Sequence, residues 1–177
     1  MRIESAPLIE NVDFDNWINK LVKFFNDRDH YIYEPTSITV TVGTETGTVS
    51  NVQTAFDGNT LAIAEISATP GIDVRFNFGN VDHQADTILM RLYYEGSSSH
   101  WIGIEAYNYS TAAFDRFTFF GDHVTSTYAW YQITIPNFNN YKGFGSANDP
   151  TVILRLNHFP AGNPAHDLFI DYVGLRV

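Results

Sequence analysis

Short runs of β-forming residues recur along the chain from Ser37 to its end, and turn-forming residues separate them. Such runs, bounded by Gly, Pro, Asn, Asp and Ser, are typical of an all-β domain. Because no helical crossover lies between them, the strands must pair antiparallel. We predict strands at Ser37–Val42, Val49–Ala55, Leu61–Ser67, Ile72–Asn77, Thr87–Tyr94, Trp101–Tyr107, Ala113–Phe119, Tyr128–Ile135, Thr151–Asn157 and Leu168–Arg176.

The run Ile72–Phe78 shows the clearest alternation of apolar and polar residues. Its apolar side chains fall on one face, and Asp73, Arg75 and Asn77 fall on the other, as expected of a strand with one buried face. Two sheets of such strands bury their apolar faces against each other. The sequence therefore predicts an all-β fold over residues 37–177, a two-sheet antiparallel β-sandwich of the jelly-roll type.

Two connections can be predicted in more detail. Phe56–Asn59 contains Asp-Gly, a strong signal for a two-residue hairpin turn, so we expect a hairpin there. In the closing stretch of the chain, alternating apolar residues suit two antiparallel partners joined by the Pro160–Ala165 loop. His158 and His166 would then flank this loop in a structural role.

Residues 1–36 follow a different pattern. Phe14, Trp17, Leu21 and Phe25 recur at helical spacing, which predicts a short amphipathic helix. We expect an N-terminal arm that either packs on its own sandwich or docks through these four side chains onto a neighbouring subunit, because an exposed apolar stripe marks an interaction site.

The charge balance argues against nucleic acid as a partner. The chain has 20 acidic and 10 basic residues and a net charge of −10, whereas nucleic-acid affinity depends largely on Lys and Arg. Charged residues make up only 17 % and aromatic residues reach 15 %, against ~25 % charged in typical soluble domains. Part of the surface must therefore consist of Thr, Ser, Asn and aromatic edges, a composition that suits virion proteins and carbohydrate binders.

Compartment signals are few. The chain has no cysteine, so disulfides and thiolate chemistry are excluded. No basic segment followed by an apolar run opens the sequence, so we expect no secretory signal peptide. No apolar run approaches the ~20 residues that span a bilayer, and we expect no membrane partner.

The histidines show no metal-binding motif. The six histidines are His30, His83, His100, His123, His158 and His166. None of them stands in HExxH or His-x-His spacing. We therefore predict neither a transition metal nor a cofactor. Loop aspartates leave calcium as an open alternative without EF-hand spacing to support it. These are Asp73, Asp82, Asp86, Asp167 and Asp171.

Catalytic motifs are also lacking. The sequence has no Gly-x-Ser-x-Gly elbow and no phosphate-binding glycine loop. A glycosidase needs only two carboxylates about 5–10 Å apart, for which Glu65, Glu95 and Glu105 are the candidates. Since isolated strand carboxylates more often face solvent or accept hydrogen bonds, we predict no catalytic residues and no enzyme.

Aromatic residues crowd the middle of the chain and offer the best candidate binding face. A sugar ring stacks on Trp and Tyr, because its faces are apolar while its rim forms hydrogen bonds. Alternation places about half of these aromatics in the core, where they contribute buried area. The best candidates for exposed residues of a glycan-binding face are Tyr107, Tyr109, Tyr128 and Trp130.

Four segments together carry a resemblance: VSNVQTAFDGNTLAIAE, IDVRFNF, HWIGIEAYNY and RLNHFPAGNPAHDLFIDYVGL. They resemble jelly-roll domains in structural proteins of tailed bacteriophages, the class that includes capsid decoration, head-fibre and tail-associated proteins. The likeness covers Val40 to Val177. The terminal IDYVGL strand also resembles galactose-binding-like folds and carbohydrate-binding modules, although we expect neither the secretion signal nor the attached catalytic domain of such modules here.

The resemblance implies a non-enzymatic virion protein that decorates a capsid or accompanies a fibre or tail. It would be made in the host cytoplasm, form a homo-oligomer and bind other virion proteins such as the major capsid protein. The alternative is a carbohydrate-binding module or adhesin that uses exposed Tyr and Trp. A glycoside-active enzyme is the third hypothesis.

Overall fold

The computed structural model describes residues 31–96, 100–120, 127–144 and 150–177. Within these ranges the chain forms two six-stranded antiparallel sheets, which confirms the predicted β-sandwich. The predicted helix with Phe14, Trp17, Leu21 and Phe25 lies outside the described residues. No helical segment in the described part is long and apolar enough to cross a membrane.

The strands are numbered in chain order. They are β1 (Ile32–Tyr33), β2 (Ser37–Val42), β3 (Thr44–Thr46), β4 (Leu61–Ala64), β5 (Ile72–Phe78), β6 (Thr87–Glu95), β7 (Ile102–Asn108), β8 (Ala113–Phe120), β9 (Ala129–Thr134), β10 (Gly143–Phe144), β11 (Pro150–His158) and β12 (Asp167–Arg176). Two short 3₁₀ turns, Val49–Val52 and Phe138–Asn140, are the helical segments of the described residues.

Each sheet is organised around one long strand near the C-terminus. Sheet one has the order β3-β4-β12-β6-β9, and β1 also pairs with β12. Sheet two has the order β2-β5-β11-β7-β8, and β10 also pairs with β11. The two longest C-terminal strands therefore form the middle of the two sheets.

The inner faces of the two sheets enclose one apolar core. The alternation predicted for Ile72–Phe78 is present, since Phe76 and Phe78 are fully buried. Leu92 of sheet one and Leu154 of sheet two are fully buried as well. Each such side chain contributes about 1.5–3 kcal/mol by leaving water. The residues between them along each strand are thereby directed outward.

The predicted hairpin at the end of the chain is wrong. β11 pairs with β5 and β7 in sheet two, and β12 pairs with β4 and β6 in sheet one. The Pro160–Ala165 loop therefore crosses from one sheet to the other. Alternation fixes which face of a strand is buried, but it does not select the partner strand.

The predicted strand Val49–Ala55 is also wrong. The segment begins with a 3₁₀ turn over Val49–Val52, and the Thr48 backbone N–H donates to Asn51 Oδ1 at 2.7 Å. Such local side-chain hydrogen bonds give the backbone an alternative to a sheet ladder. The Asp57-Gly58 turn consequently has no strand before it and does not form a hairpin. Its geometry is an Asx turn, in which Asp57 Oδ1 accepts from the Asn59 N–H at 2.8 Å.

The crossing loop is tightly packed at Gly162, and this contact generates a prediction. A Cβ there would lie 2.1 Å from the Ile66 carbonyl oxygen and 2.6 Å from the Gly71 Cα. Gly162→Ala must shift backbone, so we expect the free energy of unfolding to fall by about 1–3 kcal/mol in urea titrations. Gly79→Ala is the control, because its Cβ would meet only Thr36 atoms at 3.7 Å. Equal stability of the two variants would contradict this packing.

Candidate functional site

The outer face of sheet one carries a continuous group of aromatic side chains, which we call the aromatic platform. It consists of Phe56, Tyr93, Tyr128, Trp130, Phe169 and Tyr172. Trp130 is 50 % exposed and Phe56 is 54 % exposed, and their ring centroids are 6.2 Å apart. Large apolar side chains with such exposure are the informative exceptions on a protein surface.

Strand register explains how the platform is assembled. Arg91 of β6 lies opposite Trp130 of β9 and opposite Tyr172 of β12, so one row crosses three strands. In the next row Tyr93 lies opposite Phe169, and their rings stack at 4.6 Å. Directly opposed side chains on one face are close enough to touch, so the rings form one surface.

Arg91 is held in place at the centre of this surface. Its Nη1 donates to Asp171 Oδ2 at 2.6 Å, and the Asp171 side chain is only 4 % exposed. The guanidinium carbon also lies 4.0 Å from the Phe56 ring centroid and 4.4 Å from that of Tyr128. Cation–π contacts and a buried ion pair together fix the orientation of the guanidinium.

Phe56 adopts a backbone conformation that non-glycine residues seldom use. Its φ is 64°, in the left-handed region. Its N–H donates to Asp171 Oδ2 at 3.2 Å, and its ring packs on Arg91. The same carboxylate thus binds both Arg91 and the Phe56 backbone, and it holds an aromatic ring out into solvent.

The structure separates the four predicted glycan-binding residues into two pairs. Tyr128 and Trp130 belong to the platform on sheet one. Tyr107 and Tyr109 belong to β7 and the turn after it in sheet two; their rings meet at 5.0 Å, and the Tyr109 hydroxyl lies 3.1 Å from Thr151 Oγ1. The platform residues Phe56, Tyr93, Phe169 and Tyr172 were not predicted, because only strand register reveals that they share a face.

The outer face of sheet two carries ion pairs whose arginines also pack on aromatic rings, Arg155 on Phe114 at 3.9 Å and Arg116 on Phe159 at 3.5 Å. Glu105 is 2 % exposed and accepts from Arg116 Nε at 3.1 Å and from Arg155 Nε at 2.7 Å. Arg155 also lies 3.5 Å from Asp73 Oδ2. These cross-strand pairs compensate the burial of the carboxylate, which assigns Glu105 a structural role.

A second buried group lies at one end of the sandwich, and we call it the histidine cluster. It consists of Glu65, Tyr94, His100, His158 and His166. Glu65 follows β4, His100 lies before β7, His158 ends β11 and His166 directly precedes β12. Both sheets therefore contribute side chains to it.

Polar atoms converge in this cluster. Glu65 Oε2 lies 3.8 Å from His100 Nδ1 and 3.6 Å from His166 Nδ1, and the two Nδ1 atoms are 3.2 Å apart. Tyr94 donates its hydroxyl to Glu65 Oε1. Glu65, His100 and His166 are the group of potential metal ligands found within the described residues.

His158 is the most deeply buried member of the histidine cluster. Its side chain is fully buried, and neither ring nitrogen has a hydrogen-bond partner within the described residues. Nδ1 lies 3.4 Å from Glu65 Oε1. Burial lowers the pKa of His158 to about 4 despite the opposing effect of Glu65, so the ring is neutral at pH 7 and this contact is not an ion pair. Burial, with the hydrogen bond to Glu65, raises the pKa of Tyr94, and the phenol stays protonated.

The sequence predicts His158 and His166 on either side of one loop, but it does not place Glu65, Tyr94 and His100 beside them, because those residues are far away in the chain. Each lies at or just beyond a strand end, which is the one signal that could have placed them together. The carboxylates considered for calcium are dispersed: Asp73 contacts Arg75, whereas Asp171 contacts Arg91 in the other sheet. The third glutamate considered for catalysis, Glu95, is exposed at the end of β6.

Comparison with known proteins gives a likeness of fold. No family model matches the chain, and no curated protein matches it. Among solved structures the chain is similar to a family 29 carbohydrate-binding module at 9 % identity and a TM-score of 0.50, covering 83 % of this chain and 88 % of that one. A variant of a family 29 module matches at 10 % identity with a TM-score of 0.52, covering 83 % and 90 %.

A variant of the module CBM29-2 matches similarly, at 9 % identity and a TM-score of 0.52, covering 82 % of this chain and 90 % of that one. At these identities the likeness shows a shared β-sandwich fold. These three neighbours are not virion proteins, and the predicted virion role, the homo-oligomer and the capsid partner stay predictions. The names of these neighbours describe binding, and for this chain the absence of enzymatic activity stays a prediction.

The ion pairs of sheet two generate one prediction. Glu105→Gln removes the charge between Arg116 and Arg155 and leaves two cations near a buried amide. We expect the free energy of unfolding to fall by about 3 kcal/mol in urea titrations. Glu95→Gln, at an exposed position, should change it by less than about 0.5 kcal/mol. A Glu105→Gln variant as stable as the wild type would show that the pairs contribute nothing.

The buried His158 generates a second prediction. Its pKa of about 4 in the folded chain lies below the ordinary value of 6.5, so the unfolded chain takes up the proton first as the pH falls. The stability that depends on a neutral His158 is present above about pH 6.5 and is lost between there and about pH 4. Glu65, His100 and His166 face this ring, and their charges act on its pKa.

Urea unfolding across that range, in buffer with a chelator, should therefore show a shallower decline for His158→Gln than for the wild type. The slope of the unfolding free energy against pH reports the number of protons taken up on unfolding, and this number should differ between the two proteins by up to about one. Identical pH profiles would mean that His158 takes up its proton equally in both states.

Proposed function

We propose that this chain is a glycan-binding domain that uses the aromatic platform of sheet one. The observation that carries the proposal is the pair of half-exposed rings, Trp130 and Phe56, beside a fixed guanidinium. Exposing such rings to water does not stabilise the fold, whereas a ligand with apolar faces would cover them and gain binding free energy.

The chemistry of the platform suits a sugar ring. Trp130 offers a wide apolar surface on which the face of a pyranose stacks. Arg91 supplies N–H donors beside it, and the neighbouring outward residue of β9, Gln132, supplies both a donor and an acceptor. Because Arg91 is already ordered by Asp171 and the two flanking rings, binding costs little additional side-chain entropy.

The similar solved structures support this proposal over a virion role. Their names describe carbohydrate-binding modules, and the alignments span most of both chains. Identity of about 10 % transfers no binding residue, so the site is argued from the contacts of this chain alone. Decoration of a virion and glycan binding are compatible, and no contact among the described residues favours a virion role.

The charge of the chain narrows the class of glycan. A net charge of −10 repels uronic acids and sulfated sugars at low ionic strength. We therefore expect neutral oligosaccharides, bound through stacking and hydrogen bonds. Such binding should depend weakly on salt, because no net charge is neutralised.

The proposal is tested on the full-length chain. A glycan array identifies the preferred oligosaccharide, and isothermal titration calorimetry gives its Kd. Trp130→Ala should weaken binding at least tenfold, which corresponds to about 1.4 kcal/mol. Tyr107→Ala is the control, because it removes a partly buried aromatic from sheet two and should leave Kd unchanged.

Two results would contradict the proposal. One is the absence of any neutral glycan that binds the folded wild-type chain. The other is a loss of binding in Tyr107→Ala with none in Trp130→Ala, which would move the site to sheet two. Circular dichroism of each variant verifies that the sandwich is retained.

A further inference from the structure

We propose that the histidine cluster binds a divalent transition-metal ion, with Zn²⁺ as the representative ion, through Glu65 Oε2, His100 Nδ1 and His166 Nδ1. The proposal is independent of glycan binding, since these side chains lie at one end of the sandwich and not on the platform. No motif in the sequence points to this site.

Geometry is the first argument. The three ligand atoms are separated by 3.2, 3.6 and 3.8 Å. Ligands around a tetrahedral zinc ion with bonds of ~2.1 Å lie ~3.4 Å from one another. A point equidistant from the three atoms is about 2 Å from each, which is the bond length expected for zinc to nitrogen and oxygen. The side chains therefore match the size of such an ion.

Donor chemistry is the second argument. Two imidazoles and one carboxylate form a ligand set that suits zinc and other first-row divalent ions. Calcium is disfavoured, because it prefers oxygen ligands in larger number. Glu65 is 2 % exposed, and the side chains of His100 and His166 are 18 % and 13 % exposed, so the imidazoles stand between the buried carboxylate and solvent.

The fully buried His158 is the third and independent argument. Among the residues that the structure describes, neither of its ring nitrogens has a hydrogen-bond partner, which is costly for a buried polar group. Its ring centroid is 4.8 Å from that of His100, and its Nδ1 faces Glu65. A buried imidazole without hydrogen-bond partners is unfavourable for folding alone. Its position beside Glu65 and His100 is expected if the cluster orients these two side chains toward a bound ion.

Residues around the ligands hold them in position. Tyr94 donates to the second oxygen of Glu65, and the Asn163 backbone N–H donates to Oε2 at 2.6 Å. Such second-layer hydrogen bonds orient metal ligands and tune their affinity. Tyr94 of β6 and Asn163 of the crossing loop thereby each hold one oxygen of the Glu65 carboxylate.

Asn163 also shows where the site is not optimal for a metal. Its Nδ2 lies 3.2 Å from His166 Nε2, and its Oδ1 accepts from the Ala165 N–H at 3.1 Å. An amide donating to Nε2 favours the ring proton on Nδ1, whereas ligation through Nδ1 places the proton on Nε2. The amide must turn on metal binding, and a carboxylate in its place would accept from both groups without turning.

A bound ion would join the two sheets. Glu65 and His166 adjoin β4 and β12 of sheet one, and His100 precedes β7 of sheet two. A ligand that binds only the folded state raises its stability in proportion to the logarithm of its concentration. The expected consequence is a sandwich that is more stable with the ion than without it.

The experiment uses the full-length chain without a histidine tag, stripped with a chelator and dialysed. Zn²⁺ is titrated by calorimetry at pH 7.5, and Tm is measured with and without excess Zn²⁺. We expect one Zn²⁺ per chain and a rise in Tm of about 5 °C or more. Stoichiometric binding should be lost in His100→Asn and in His166→Asn.

Two further variants sharpen the test. His83→Asn changes an exposed histidine that lies beside Asp82, and it should bind Zn²⁺ as the wild type does. Asn163→Asp should bind about tenfold more tightly, because the carboxylate accepts from His166 Nε2 in the ligated state. A role in structure alone would not produce this gain.

The proposal is overturned if the stripped wild type binds no Zn²⁺ in the micromolar range. This result does not depend on whether any variant folds. It is also overturned if both His100→Asn and His166→Asn retain wild-type affinity. Titration with Co²⁺ adds a spectroscopic criterion: visible absorption bands of a low-coordinate ion should appear in the wild type and be absent from folded His166→Asn.

Discussion

The apolar layer between the two sheets is the interaction on which the rest of the structure depends. Alternation in each strand sends one set of side chains into that layer, where residues such as Phe76 and Leu154 are fully buried. The other set is then forced outward in register. On sheet one this outward set is aromatic around Arg91, and on sheet two it is a ladder of ion pairs whose arginines pack on Phe114 and Phe159. Two faces with different proportions of charge and aromatic surface thus follow from one buried layer.

The same strands position both candidate sites. On β6, Tyr93 points outward into the aromatic platform, and the adjacent Tyr94 points inward and donates to Glu65. On β12, Phe169 belongs to the platform, and His166 precedes the first residue of the strand. A change that alters the packing of these two central strands should therefore affect both sites, whereas the two sites share no side chain.

The fold could be predicted from the sequence because alternation and turn residues act locally. The bounds of β2 match the predicted Ser37–Val42. Pairing is not local, and for this reason the crossing loop was predicted as a hairpin. The β-branched residues of Val49–Ala55 likewise favour a strand, but a local hydrogen bond between Thr48 and Asn51 stabilises a 3₁₀ turn there instead.

The candidate sites were less accessible to prediction. Tyr128 and Trp130 were found because both are aromatic and close in sequence. Phe56 reaches the platform through a left-handed backbone held by Asp171, 115 residues away, and no short-range pattern encodes that contact. The histidine cluster depends on the ends of five strands meeting in space, which requires the correct topology.

The central claim is that the outer face of sheet one is the binding surface, and backbone and side-chain NMR tests it most directly. The chain is titrated with the neutral oligosaccharide preferred on the array, and chemical-shift changes are mapped on the assigned spectrum. The account predicts that the largest changes occur at the Trp130 indole, the Phe56 ring and the Arg91 guanidinium. Changes concentrated on sheet two, around Tyr107 and Arg155, would contradict it.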